Sequence, residues 1–396
     1  MRRPDRPQVF GAIARERGYT WDAAEGDDWP MREWALLLWL WIAWPAQAEK
    51  TRSMTIAQTE QFLATLQGKR DGKVAGALDH LHLTERVSRT RLARWEAAFP
   101  GKDAQEALRK QADLSAFLDP PAEDRVIRPR PESKAQEQIL LQAVEFVRNA
   151  MMRLPDFLAT RETLHFAEPS MPQESSGDTD ASKLRLIGSN HRTVTYRDGL
   201  EVPFRQGGNA LNRPPMGLTS EGEFGPILIQ VFRDALENKI GFLRWENGPT
   251  GTEAVFGYLV PEKASHFRIE FTSDHRDVIE HSAYHGEIAV DATTGAVSRL
   301  SEIADLGAQE TVKYAAIEVE YAPVTIGGKT YICPVRGVAF SRIAVPNSDW
   351  TPGHRDSTPP TEQNLLIQTH LNEITFKNYH KFRAVARILP GSADSQ

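Results

Sequence analysis

Three histidines, His275, His281 and His285, lie close together beside Asp274, Asp277, Glu280 and Glu287. Imidazoles mixed with carboxylates are the ligand set of a zinc ion and the partners of an acid–base hydrolase. On one continuous strand His281 and His285 point to the same face about 13 Å apart. A shared metal therefore needs a bend between them, and the simpler reading is a solvated strand face beside a polar loop. Glu318 and Glu320 share a second face and Arg383 and Arg387 a third. Paired carboxylates catalyse proton transfer only across a cleft that raises one pKa; on an outward strand face they serve solubility.

The spacings that imply a mechanism by themselves are missing: the sequence holds no G-x-S-x-G, H-E-x-x-H, paired C-x-x-C or G-x-G-x-x-G after a strand. Gly327-Gly328-Lys329-Thr330 imitates the end of a phosphate loop, but Pro323 stands where its first glycine belongs, and a hairpin turn explains the pair. No residue is therefore assigned to catalysis, to a cofactor or to a metal.

The elements that position these residues change character along the chain. Residues 53–118 read as a module of short helices. Thr55 and Gln58 form a capping box before Phe62, Leu63 and Leu66, with Gly68 as the stop. A second helix starts after Thr84 and runs through Val87, Leu92 and Trp95, and its Arg86, Arg89, Arg91 and Arg94 read as a solvated face. A third takes Asp103 as N-cap, carries Leu108, Leu114 and Phe117, and stops at Pro120-Pro121. Residues 119–133 are a Pro-rich linker. Ser133 and Gln136 then cap a longer helix whose stripe of Leu140, Val144 or Ala143, Val147, Met151 and Leu154 is expected against a sheet.

Beyond Asp156 the apolar period becomes two. Phe267, Ile269 and Phe271 alternate with polar residues, as do Ile317, Val319 and Tyr321. Hairpin turns are expected at Arg197-Asp198-Gly199, at the DATTG of residues 291–295 and at Gly327-Gly328. About ten strands joined by short connections make an antiparallel meander, interrupted by one helix capped by Ser220 and Glu223 and ending near Asn238. Residues 169–182 and 346–362 have loop composition. The inward aromatic residues Tyr196, Phe256, Tyr258, Phe267, Phe271, Tyr284, Tyr321, Phe376 and Phe382 suit either a closed core or the lining of an apolar cavity. The expected class is α+β: a short-helix bundle followed, over residues 134–396, by a large curved, half-barrel-like antiparallel sheet with packed helices.

Composition sets the remaining bounds. The 396 residues are 40 % hydrophobic and 25 % charged, which excludes a disordered chain and a disulfide-stapled mini-protein. The net charge of −6 leaves no electrostatic footprint for nucleic acid. Cys333 is the single cysteine, expected as a small buried core residue. Six of nine tryptophans fall in the first 44 residues. There Met31-Arg32, the apolar run WALLLWLWIAW and Ala46-Gln47-Ala48 follow signal-peptide order. Residues 31–48 are thus read as a signal peptide cleaved after Ala48, residues 1–30 as a mis-assigned extension upstream of the true start at Met31, and the protein as exported to the periplasm or beyond, with no integral membrane span once the signal is removed.

The succession LTERVS, LPDFLATRETLHF, SEGEFGPIL, HGEIAVDATTGAVSRL, VEYAPVTIGGKTYICPV and NEITFKNYHKFRA resembles a family of exported bacterial proteins of unknown function. The D-x-x-T-G turn at residues 291–295, the G-G-K-x-Y-x-x-P turn at residues 327–334 and the closing strand from Ile374 to Tyr379 also resemble the lipoprotein-carrier fold of outer-membrane lipoprotein localisation proteins. That resemblance implies a curved half-barrel with helices on its concave side that binds acyl chains; it brings no catalytic residue and leaves residues 53–150 uncovered. The leading expectation is a non-enzymatic exported protein whose partner is a lipid, another apolar ligand or an envelope protein. The alternatives are an exported hydrolase or metal-dependent enzyme built on His275, His281 and His285, and a protein-interaction scaffold. A chain begun at Met31 is expected to be exported and to yield Glu49 on N-terminal sequencing; export of the Met1 form alone would refute this reading.

Overall fold

The capping box at Thr55 forms as the sequence predicts. The Gln58 amide donates to Thr55 Oγ1 at 3.3 Å and the Thr55 amide to Gln58 Oε1 at 2.9 Å, opening α1 (Ile56–Leu66). The computed structural model describes residues 52–168, 171–172, 184–202, 217–273, 276–307, 312–346 and 365–381. α2 (Asp71–Asp79) has no counterpart in the sequence reading, because its two glycines leave only Val74 and Leu78 as a buried stripe. α3 (Arg89–Ala98) and α4 (Lys102–Leu114) follow. Asp103 is not the N-cap of α4. Its own amide and that of Ala104 instead donate to Asp71 Oδ2 and Oδ1 of α2, at 3.0 and 2.9 Å. A carboxylate borrowed from another helix thus caps this N-terminus. Strands β1 (Arg52–Met54) and β2 (Leu81–Leu83) pair in parallel over a core of Ile56, Leu63, Leu78, Leu92, Trp95 and Leu108.

After a single 3-10 turn, the Pro-rich segment runs beside β7 (Lys239–Asn247). The Val126 amide donates to Trp245 O at 3.0 Å, and Trp245 Nε1 donates to Pro129 O at 2.9 Å. α5 (Ser133–Arg153) starts with Glu132, not Ser133, at its N-cap; Gln136 Nε2 reaches back to Pro131 O instead. Contacts across these segments make Glu49–Gln396 one compact unit.

The sheet strands are β3 (Phe157–Ala167), β4 (Met171–Pro172), β5 (Arg185–Arg197), β6 (Leu200–Val202), β7, β8 (Thr252–Val260), β11 (Ala283–Asp291), β12 (Val297–Asp305), β13 (Val312–Ile326), β14 (Lys329–Pro346) and β15 (Leu365–Lys381). They lie in the order β6-β5-β3-β15-β14-β13-β12-β11-β8-β7, with β4 beside β15. Every pair is antiparallel, which with six α-helices among the described residues makes the fold α+β. The meander runs unbroken from β11 to β15. It departs from a pure meander in two places: β3 inserts against β15, and β9 (Arg268–Ser273) pairs with β10 (Arg276–His281) in a separate ribbon.

All three expected turns form. Asp198 and Gly199 (φ 54° and 81°) and Gly327 and Gly328 (φ 58° and 82°) carry the paired positive φ of type I′ hairpins. At the third, Asp291 Oδ1 accepts from the Thr293 and Thr294 amides, both at 2.9 Å. Gly295 there lies so close to α5 that a Cβ would sit 2.5 Å from Gln142 O.

One sheet face is apolar. Ile139, Ala143 and Val147 of α5 and Val231, Phe232 and Ala235 of α6 (Pro226–Glu237) cover Phe256, Leu300, Ile317 and Val319. Ser220 and Glu223 do not cap α6. It begins at Pro226, a residue suited to the first helical position, while Ser220 Oγ donates to Glu223 Oε1 at 2.7 Å and Arg161 Nη2 donates to Ser220 O at 2.7 Å. Glu223 is drawn to the buried Arg161 guanidinium, 3.3 Å away, and so is spent before the helix starts.

The opposite face is charged and also buried. Glu246, Glu253, Glu287, Arg299, Glu318, Glu320, Arg336 and Glu373 cross it strand by strand beneath the helical module. Arg244 forks onto Glu287 with two 2.7 Å bonds. Arg299 lies 2.9 Å from Glu287, 3.4 Å from Glu318 and 3.8 Å from Glu246. From the module, Arg86 Nη2 donates to Glu246 Oε2 at 2.6 Å, Asp113 pairs with Arg336, and Arg109 lies 3.2 Å from Glu373. Removing one partner of such a network strands buried charge. Arg299→Leu is therefore expected to cost about 3–5 kcal/mol, read from urea unfolding curves.

Candidate functional site

The histidines of the sequence reading do not converge among the described residues. His275 lies outside them. His281 is exposed at the end of the β9–β10 ribbon, whereas His285 stands on β11 of the large sheet with Nδ1 2.7 Å from Asp305 Oδ1. The expected continuous strand is broken at Ser282, so the two-residue periodicity that aligned them does not carry across. Among the described residues no three His, Cys, Asp or Glu side chains are grouped to hold a metal.

Two further expectations are corrected. Glu318 and Glu320 are 2 % and 7 % exposed, buried under the helical module instead of facing solvent. Arg86 and Arg91 are likewise turned inward, Arg91 onto Glu60 and Asp124. Phe382, Arg383 and Arg387 lie outside the described residues. Cys333 is buried, and burial pushes its thiol up to about 12.

The aromatic face is filled. Phe256, Tyr258, Phe267, Tyr284 and Tyr321 belong to one cluster. Tyr196 and Phe376 belong to another around Phe157, whose ring stacks on Tyr196 at 5.1 Å. An open groove of about 460 Å³ runs along the C-terminal half of α5, facing the β11–β12 turn and the start of β14. Phe146, Ala150, Leu154 and Ile332 line its apolar side. Gln142, Asn149, Arg153, Thr293, Thr294 and Thr330 supply hydrogen-bonding groups. The same four apolar residues also border a small recess of about 20 Å³ running toward Phe224, Leu228 and Val297. This arrangement can hold an apolar chain and bond a polar end, and it offers no nucleophile paired to a base.

A second cleft, of about 320 Å³, opens between the start of α6 and the segment before β9. Asp234 of α6 accepts from the His266 amide at 2.9 Å and from Tyr284 Oη at 2.9 Å, and lies 2.8 Å from His266 Nδ1. Burial pushes the Asp234 carboxyl up, but these bonds outweigh it and hold it below its usual range. Glu302, which lines the cleft, has no such help: burial, with the Asp234 charge, pushes it up to about 8. Sequence reasoning missed Asp234, His266 and Glu302. The one available signal was Glu302 at an inward position of β12, in register with apolar Leu300 and Ala304.

The chain matches no protein-family model, no curated protein and no solved structure. The class that the geometry defines is an α+β protein on one large antiparallel sheet. Among the described residues no helix is long and apolar enough to cross a membrane.

The shifted groups fix how stability responds to pH. Burial raises Glu253 to about 7 and Glu302 to about 8, so both keep protons when folded that the unfolded chain releases above about 4.5. Their contribution is lost as pH rises through these values. Burial lowers His370 to about 4, and its contribution is lost as pH falls below about 6.5. Arg299 and Arg244 overcome the burial of Glu287 and hold it well down, so the stability from that pairing declines as pH falls below about 4.5 and is gone only under strong acid. Chemical unfolding should show a decline that begins near pH 4.5, is partly offset by His370 up to about pH 6.5, and ends near pH 8, about 1.4 kcal/mol per pH unit for each carboxyl up to its own folded value. Glu253→Gln should flatten the lower part of that decline and Glu302→Gln the whole of its own share.

Proposed function

We propose that this is an exported, non-enzymatic binding protein that holds an acyl chain, presented by a lipid or by an envelope protein, between α5 and a sheet curved like a half-barrel. The groove along α5 carries the reading. Its volume falls within the roughly 300–1,000 Å³ of small-molecule sites, and each methylene withdrawn from water there contributes about 0.8 kcal/mol. Ile139, Ala143 and Val147 seat α5 on the sheet, while Phe146, Ala150 and Leu154 turn toward the groove. Arg153 at the helix end supplies a cation for a carboxylate or phosphate head. The resemblance of the D-x-x-T-G and G-G-K-x-Y-x-x-P turns to lipoprotein carriers agrees with this reading, since both turns border the groove.

Protein purified from the exported fraction is expected to release lipid on extraction and to take up a fluorescent fatty acid. Ala150→Trp, which fills the groove, should weaken uptake at least ~10-fold, about 1.4 kcal/mol. Absence of both bound lipid and uptake by the unaltered protein would overturn the proposal.

A further inference from the structure

Glu302 is the group that the fold leaves unexplained. It is 1 % exposed, and its Oε1 has no hydrogen-bond partner among the described residues. A polar group buried in that way is costly, and an unpaired charge more so. On the charged face every comparable carboxylate has an arginine nearby; on this apolar face no arginine acts on Glu302, and the charge that does is another carboxylate, Asp234. Tyr258, Tyr284 and Tyr321 stand close enough to feel its charge, and all three rings belong to the surrounding core. Although so deeply buried, Glu302 contributes to the lining of the 320 Å³ cleft, so it belongs to the inner wall. Buried Ile227, Phe267 and Ile317 form the walls, and exposed Glu221, His266 and Arg268 surround the mouth.

We infer that this cleft is a binding site for a small alkyl amine, its ammonium group paired with Glu302 at the inner wall and its carbon chain lying between Ile227, Phe267 and Ile317. An ammonium complements the site twice. It supplies the cation and donor that the carboxylate lacks, and it is attracted to the electron-rich tyrosine rings around it. The mouth residues do not compete for the inner position: His266 is held by Asp234, and Arg268 lies out on the exposed side. The site is separate from the groove along α5, so neither reading depends on the other.

The test is calorimetric and NMR titration of the full chain with n-butylamine, n-butanol and butyrate as matched probes. The amine is expected to bind at least ~10-fold more tightly than the alcohol, with butyrate weakest, and Glu302→Gln should abolish the preference. Pairing requires Glu302 to lose its proton, with Asp234, Tyr258, Tyr284 and Tyr321 beside it and Glu221, His266 and Arg268 at the cleft. Amine affinity should therefore rise by up to ~10-fold per pH unit from about pH 6 to about pH 8, with proton release visible in buffers of different ionisation enthalpy, and stay flat in Glu302→Gln. Thr219→Trp, which obstructs the cleft and leaves Glu302 in place, should remove binding even if the glutamine variant folds poorly. Equal affinity for amine and alcohol, preference for butyrate, or unchanged amine binding in either variant would overturn the inference.

Discussion

The fold depends on a layer of buried charge between the helical module and one face of the sheet. Arg299 stands among Glu246, Glu287 and Glu318, Arg244 forks onto Glu287, and Arg336 bridges Glu320 of the sheet to Asp113 of α4. None of these groups tolerates burial alone; each is there because its partner is there. The acids of this layer outnumber the arginines that face them. Burial accordingly pushes Asp113, Glu318 and Glu373 up against the pull of their arginines. The layer specifies how the module sits: a shift of one strand would put carboxylate against carboxylate.

With one face committed to holding the module, the other is left for α5 and α6. That face is apolar over most of its area and interlocks through Asp234, which ties α6 to His266 and to Tyr284 of β11 in one set of bonds. Around β3 and β15 the same face turns polar: Arg161 anchors the approach to α6, and Asn372 joins His165 at 2.7 Å and Leu218 O at 2.6 Å. The groove and the cleft lie at the margins of the cover, one along the outer half of α5 and one at the start of α6. Where the covering helices part from the sheet, the molecule has room for ligands.

Much of the local structure was legible from the residues. The Thr55 capping box, the two type I′ turns, the DATTG turn and the long helix after the Pro-rich segment all depend on neighbours within a few positions, where side-chain chemistry and φ preferences act directly. The errors share another cause. Asp103 resembles an N-cap, but Asp71 from a different helix does the capping. Ser220 and Glu223 resemble a capping box, but Arg161, distant in sequence, claims the carboxylate. Glu318 and Glu320 alternate with apolar residues as solvent-facing glutamates would, and only the docked module makes that face interior.

By itself, then, the sequence determined where the chain reverses, most of the helices and strands though not α2, β1 or β2, and that the class is α+β, because hydrophobic period and turn chemistry are short-range. Only the tertiary structure decided which charges are buried and which histidines stay apart. It brought His266 and Glu302 to one cleft, with Asp234 of α6 bonded to His266 beside it. The physical reason is that the energy of a charged side chain is set by its solvent exposure and by the charges across the interface, and both are supplied by residues far away in the chain.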